Sequence, residues 1–335
     1  MARPRYVVLC LALLLAGPPT TRAVAPEDPV QAEQARFLMG TLATAAAWAG
    51  TAGQADAAAS AALDEVARLE GILSTWNPES ELSRLNRCLQ AGMEMAVSPD
   101  LARVLAEALG FAAESGGAFD PTVLPLVELW GFRKDGTVTA PSDSMVQATL
   151  NQLGYERVTL VTESAVVRCD GGGVRLDFGG IAKGYALDRA AQVMEECGAV
   201  AGRLDLGGEI LVFGVEAAAN VGIVDPGGSE DPLGTIRLDG AAIATSGQYE
   251  RFREDGNSRW GHILDPRTGY PSRNLMSVTV VADGALLADA AATACFVLGL
   301  EEGLAFLEGL PRCEGLIVHP DEQGRPAISF TSGLR

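Results

Sequence analysis

What most constrains the fold of this chain is the irregular spacing of its short β-branched runs among its helical stretches. Residues 157–161, 165–168 and 174–178 are brief runs rich in β-branched side chains, separated by polar or glycine punctuation such as Asp170-Gly171-Gly172-Gly173. Runs this close together pair as antiparallel strands. A helix over residues 182–197, closed by Gly198, interrupts them, and strand candidates resume at 210–215, 220–224, 235–238 and 277–282. A last helix starts near Leu287, and residues 315–319 with 327–330 close the sheet. A doubly wound parallel sheet needs regular alternation of strand and helix, and none is present. The expected class is α+β, with mixed, largely antiparallel sheets and packed helices.

The first third reads as helical. Leu63, Val66, Leu69 and Leu73 recur at helical spacing within residues 57–73, with Asp64, Glu65 and Arg68 on the opposite face. Ser98-Pro99-Asp100 supplies an N-cap, a proline at the first helical position and an acidic first turn, and Gly116-Gly117 stops the helix that follows. A third, short helix is expected over residues 144–153, ending at Gly154. With 335 residues, 48% of them hydrophobic, the chain can bury a sizeable core. No repeat or low-complexity linker divides it, so one continuous unit over residues 24–335 is expected.

Residues 1–23 read as an export signal. Arg3 and Arg5 precede an apolar run over residues 7–15, and Thr21-Arg22-Ala23 offers a small-residue cleavage site. The run is short for a membrane span, the alternative being an uncleaved anchor. Cys10 lacks a lipobox, which points to an exported, periplasmic chain free of a lipid anchor. The other cysteines, Cys88, Cys169, Cys197, Cys295 and Cys313, are widely spaced without a C-x-x-C pair, so neither a zinc knuckle nor a disulfide framework is indicated. One or two bridges are compatible with an oxidising compartment, and Cys295 reads as a core residue. The net charge of −18 repels nucleic acid and anionic lipid, so a polyanionic ligand needs a metal or locally placed cations.

Three segments can carry chemistry. Asp289 and Thr293, four apart in an alanine-rich helical stretch, present a carboxylate and a hydroxyl on one face, which suits a hard cation such as magnesium. The alternative is that Asp289 caps its helix and Thr293 bonds back to helix carbonyls. Residues 176–185 read as strand, glycine turn and helix, where Lys183 can meet a phosphate; a purely structural turn is the alternative. His262, one of two histidines, lies beside the Asp265-Pro266 turn and can orient a phosphate or shuttle a proton, whereas His319 reads as a surface residue. Neither a nucleophile elbow around Ser246 nor a dinucleotide-fold glycine fingerprint is present.

Taken in order, seven segments resemble the ApbE family, the FAD:protein FMN transferases. They are Met39-Gly40-Thr41; Ser74-Thr75-Trp76 leading into residues 80–86; residues 117–122 with Trp130-Gly131-Phe132; residues 177–188; residues 245–249, ending in Tyr249; residues 262–271; and residues 289–293. The resemblance implies a T-fold-like catalytic unit and an FAD site formed by Met39, Trp76, Ala118, Phe119, Asp120, Asp177, Lys183, His262 and Ile263. It also implies Mg2+ held by a backbone carbonyl of the glycine turn, at Gly180, with Asp289 and Thr293. The implied reaction is attack by an acceptor threonine hydroxyl on the FMN-side phosphorus of FAD, with AMP leaving and Asp289 or His262 taking the proton. Acceptors would be subunits of membrane redox complexes, with no nucleic acid involved. An FAD pyrophosphatase and a non-enzymatic periplasmic FAD-binding protein are the alternatives. Two positions depart from the family pattern: Trp76 replaces a tyrosine, and Glu209 stands where a smaller amide is common. Neither is expected to touch the metal pair.

Overall fold

The computed structural model describes residues 29–134, 136, 138–229, 231–248, 251–256, 258–273 and 275–334. The segment expected to be an export signal, including Cys10, and Tyr249 lie outside the described residues. The chain opens with β1 (Val30–Leu38), β2 (Thr41–Ala49), α1 (Ala52–Leu73), α2 (Glu81–Gln90), β3 (Met95–Ala96) and α3 (Pro99–Glu114). It continues through α4 (Leu124–Leu129), α5 (Asp143–Leu150), β4 (Val158–Val161), β5 (Val166–Cys169), α6 (Ala182–Glu196), β6 (Ala201–Leu206) and β7 (Ile210–Phe213). Then come β8 (Ala219–Ile223), β9 (Gly234–Leu238), β10 (Ala242–Gly247), β11 (Phe252–Asp255), β12 (Ser258–Gly261) and β13 (Ser277–Ala282). The last elements are α7 (Ala285–Leu298), α8 (Leu300–Gly309), β14 (Cys313–Pro320) and β15 (Pro326–Phe330).

Eight strands form one antiparallel sheet in the order β1-β2-β6-β7-β10-β13-β14-β15. The class is therefore α+β, as the spacing of the runs implied. Helices α1, α6, α7 and α8 cover one face through a core that includes Leu63, Leu69, Leu187, Val280, Phe296 and Ile317. The β8–β9 hairpin packs on the other face through Ile223 and Leu238 against Val212, Ile243 and Val318. Alanines let α1 approach the sheet closely: Ala45 and Ala47 of β2 and Ala55, Ala58, Ala59 and Ala62 of α1 are all fully buried.

The helix signals behave as local physics dictates. Ser98 Oγ accepts from Leu101 N at the start of α3, and Thr51 caps α1, which begins at Ala52, five residues ahead of the expected start of that helix. One expected strand is absent. Residues 174–178 alternate between buried and half-buried but pair with no strand, because their partners lie elsewhere: Asn86 Nδ2 donates to the Leu176 carbonyl at 2.8 Å, Leu176 N donates to Asn86 Oδ1 at 2.6 Å, and Asp177 N donates to the Pro121 carbonyl at 2.8 Å. The strand that completes the β4–β5 sheet is instead β3. No disulfide forms among the described cysteines, and Cys295 is fully buried in α7. His319 is half-buried at the β14–β15 edge, with Nε2 3.1 Å from Ser329 Oγ.

Candidate active site

The site is created where α6 and α7 run antiparallel and meet through glycine. A Cβ on Gly184 would lie 2.3 Å from the Ala285 carbonyl oxygen, so only glycine lets the two backbones come this close. Each helix then caps the other. Asp289, on α7, accepts from Gly184 N in the first turn of α6 at 3.1 Å, and Asp188, on α6, accepts from Ala285 N at 2.7 Å and Leu286 N at 3.0 Å in the first turn of α7. First-turn N–H groups have no partner inside their own helix, so these carboxylates satisfy donors that burial would otherwise strand. Asp289 is thus a cap, but of the neighbouring helix. One turn further along, Thr293 faces Gly180: a Cβ there would sit 2.8 Å from Thr293 Oγ1.

This wall closes a cavity of about 750 Å³ lined by all twelve residues singled out in the sequence. Met39 and Gly40 form the two-residue turn of the β1–β2 hairpin, both at positive φ (49° and 77°), which matches the twist of a tight hairpin and aims Met39 at the cavity. Phe119 is buried edge-to-face against Phe111 at 6.0 Å, beside buried Ala118 and, across the cavity, Ile263. Trp76 stands at the mouth, 64% exposed, with the Arg133 guanidinium 4.1 Å from its ring centroid. Arg133 also donates to Thr75 Oγ1 at 2.7 Å, and Thr75 donates to Asp177 Oδ2 at 3.0 Å. The other oxygen of Asp177 accepts from Gly179 N at 2.7 Å, so this carboxylate pins the glycine turn to the loop after α1. Asp120 is engaged by its own loop and by the turn before β4, accepting from Thr122 N and Oγ1, each at 2.7 Å, and from Tyr155 N at 3.2 Å. Burial pushes its carboxyl above the usual range, partly offset by these bonds.

Three ionisable groups meet the α6–α7 wall. Lys183 pairs with Glu209, which enters from the turn between β6 and β7. Burial, followed by the adjacent Glu209 carboxylate, pushes Asp289 well above the ordinary carboxylate range, against the pull of Lys183 and the Gly184 N–H. Glu209 therefore does touch the Asp289 side of the site, contrary to the expectation that this departure from the family pattern stays clear of it. Burial pushes the half-buried His262 down to about 4, the carbonyl of Arg251 opposing the shift and the charges of Arg251 and Lys183 adding to it. Its Nδ1 lies 3.2 Å from that carbonyl oxygen, which can only accept, so Nδ1 carries the hydrogen and Nε2 the lone pair.

Sequence reasoning missed Asp188, Arg133 and Ser246, whose Oγ lies 3.3 Å from Thr293 Oγ1, and singled out Glu209 only as a departure from the family pattern, without its contact with Asp289. Ser246 and Asp188 fell inside segments of the family resemblance, but nothing in their local pattern signals a partner dozens of residues away. No group of three or more His, Cys, Asp or Glu side chains able to hold a metal occurs among the described residues. The donors at the wall are oxygens of mixed type: carboxylate, hydroxyl and backbone.

The family model described as the ApbE family matches residues 39–317. The chain is 36% identical over 298 residues to the FAD:protein FMN transferase of Treponema pallidum (strain Nichols), an alignment covering 82% of each. The apbe protein of Thermotoga maritima superposes with a TM-score of 0.82 at 32% identity, covering 91% of this chain and 98% of that one. The apo flavinyl transferase ApbE of Pseudomonas stutzeri superposes with a TM-score of 0.79 at 26% identity, covering 92% and 96%. Agreement of sequence and fold over this much of the molecule makes the chain a member of the ApbE family of enzymes.

Proposed function

We propose that the chain transfers the FMN half of FAD to a threonine hydroxyl of an acceptor protein, with AMP as the leaving group and Mg2+ as the required ion. The observation that carries this reading is the glycine-mediated meeting of α6 and α7, which sets Asp289 and Thr293 against the glycine turn inside a cavity large enough for much of a dinucleotide. The donor set fits the ion. A Cβ at Gly180 would crowd Thr293, all donors are oxygens, and buried Glu209 Oε2 has no hydrogen-bond donor. Gly180, Asp289 and Thr293 would hold Mg2+, which when bound would polarise phosphoryl oxygens and offset charge on the leaving group.

The remaining roles belong to side chains. Neutral His262 offers Nε2 to the attacking hydroxyl: the threonine oxygen bonds to the FMN-side phosphorus, the bond from that phosphorus to the bridging oxygen breaks, AMP departs with that oxygen, and the hydroxyl proton goes to Nε2. Asp289 is the weaker candidate base because it is committed to Gly184 N and to its place at the wall. Lys183, in the first turn of α6, orients the diphosphate where a helix N-terminus favours anions. Met39, Phe119 and Trp76 supply apolar and stacking surface for the rings. The reading includes export, which the charged and apolar segment before residue 23 supports, and acceptors among membrane redox subunits. Incubation with FAD, Mg2+ and a threonine-bearing acceptor peptide tests it. The peptide should gain the mass of FMN as AMP appears, whereas FMN and AMP release with an unchanged peptide would indicate water as the acceptor and overturn the transferase assignment.

A further inference from the structure

The turn between β6 and β7 is built to put a carboxylate where few are found. Leu206 N donates to the Glu209 carbonyl at 2.9 Å, and Gly207 and Gly208 both take positive φ (69° and 91°). Gly208 N is held by Asp205 Oδ1 at 2.8 Å. The Glu209 side chain is thereby driven inward until the residue is 4% exposed, as is Asp289. One Glu209 oxygen pairs with Lys183, while Oε2 is buried without any donor and the side chain faces Asp289. The two carboxylates thus lie side by side in a buried wall beside the Lys183 ammonium, and burial of like-charged groups in contact is costly unless a cation is shared between them. Carboxylate oxygens are what a hard divalent cation selects.

We propose that Glu209 is a further side-chain ligand of the divalent cation, presenting Oε2 to the ion opposite Asp289 while its other oxygen steadies Lys183. This rests on the cation reading given above and adds a residue to it. It makes the ion's seat a two-carboxylate one, and it gives Lys183 a fixed anchor beside the ion.

The test is a Mn2+ titration followed by electron paramagnetic resonance, with no FAD present, so that binding is read apart from turnover. Mn2+ is a hard divalent stand-in for Mg2+. Glu209→Gln keeps the shape and removes the charge; Glu209→Asp keeps the charge and withdraws it by one methylene. Thermal melting of both variants checks that they fold. The expected result is binding weakened by about 10–100-fold in Glu209→Gln, with Glu209→Asp also clearly weakened. Undiminished affinity in Glu209→Gln overturns the assignment, as does full affinity in Glu209→Asp, which would mean that charge acts without ligation. Should the unaltered chain itself fail to bind Mn2+, the cation reading falls together with this ligand; binding by the unaltered chain that the variants keep in full counts against Glu209 alone.

Discussion

Two parts of the same cavity are made of opposite materials. The α6–α7 wall is buried and small-residue: Ala288, Ala290, Ala291 and Ala292 are fully buried, and Asp289 and Glu209 are 4% exposed. The mouth is large-residue and open, with Phe37 75% and Trp76 64% exposed. The wall has two helices capping each other through Asp289 and Asp188, so its groups hold one geometry. The mouth is held by a stacked Arg133 and a few hydrogen bonds. Rigid, low-dielectric surroundings suit groups that act on developing charge, whereas exposed aromatic surface suits recognition of a ligand or a partner.

The largest expected effect tests the wall. Asp289→Asn leaves an oxygen for Gly184 N but removes the charge, and kcat for FAD cleavage should fall by about 100-fold or more while the melting temperature stays near that of the unaltered chain. Steady-state kinetics with calorimetry decide this; activity near normal would dissolve the contrast between wall and mouth. Next comes Gly184→Ala, whose Cβ would lie 2.3 Å from a backbone carbonyl that cannot yield alone. Stability should drop by about 1–3 kcal/mol, with activity falling as the helices part. Denaturant melts read the first and turnover the second.

A third prediction concerns His262, which sits between the two regions. Its folded-state value of about 4 lies below the ordinary 6.5. The folded chain therefore takes up this proton later than the unfolded chain does, and the stabilising contribution is complete above pH 6.5 and is lost as pH falls towards 4. The acid limb of kcat/KM should follow the same group, bending near pH 4 instead of near 6.5. In His262→Gln that limb should disappear along with most activity, and the stability profile should flatten between those pH values. The smallest effect belongs to the mouth. Arg133→Ala removes a cation–π contact worth about 0.5–1 kcal/mol at an exposed ring, so KM for FAD should rise only a few-fold with kcat nearly unchanged.

Much of this molecule was legible in the chain because local signals and tertiary structure agree. The run over Ser277–Ala282 is β-branched and becomes a central strand, and Ser98-Pro99-Asp100 opens α3 as capping chemistry requires. Where they disagree, reading fails. β2 is mostly alanine, a poor strand former, and pairs because α1 needs small residues against the sheet. β1, rich in Gln, Glu and Arg, is an edge strand with little apolar alternation. The segment 174–178 has a strand's composition and alternating burial but takes its hydrogen bonds from the Asn86 side chain and the Pro121 carbonyl. α8 carried a usable signal, Leu300, Leu304 and Leu307, that went unread. In the site, ordered motifs pointed to twelve of the residues that line the cavity, while the Asp188 cap and the contact of Glu209 with Asp289 became visible only through contacts across long stretches of chain.

The claim on which the rest depends is that the α6–α7 wall seats a divalent cation. Anomalous diffraction from crystals soaked in Mn2+ addresses it directly. The account predicts a peak at the wall, within coordination reach of Asp289, Thr293 and the glycine turn at Gly180. Mn2+ peaks confined to surface carboxylates, with none at the wall, would contradict it.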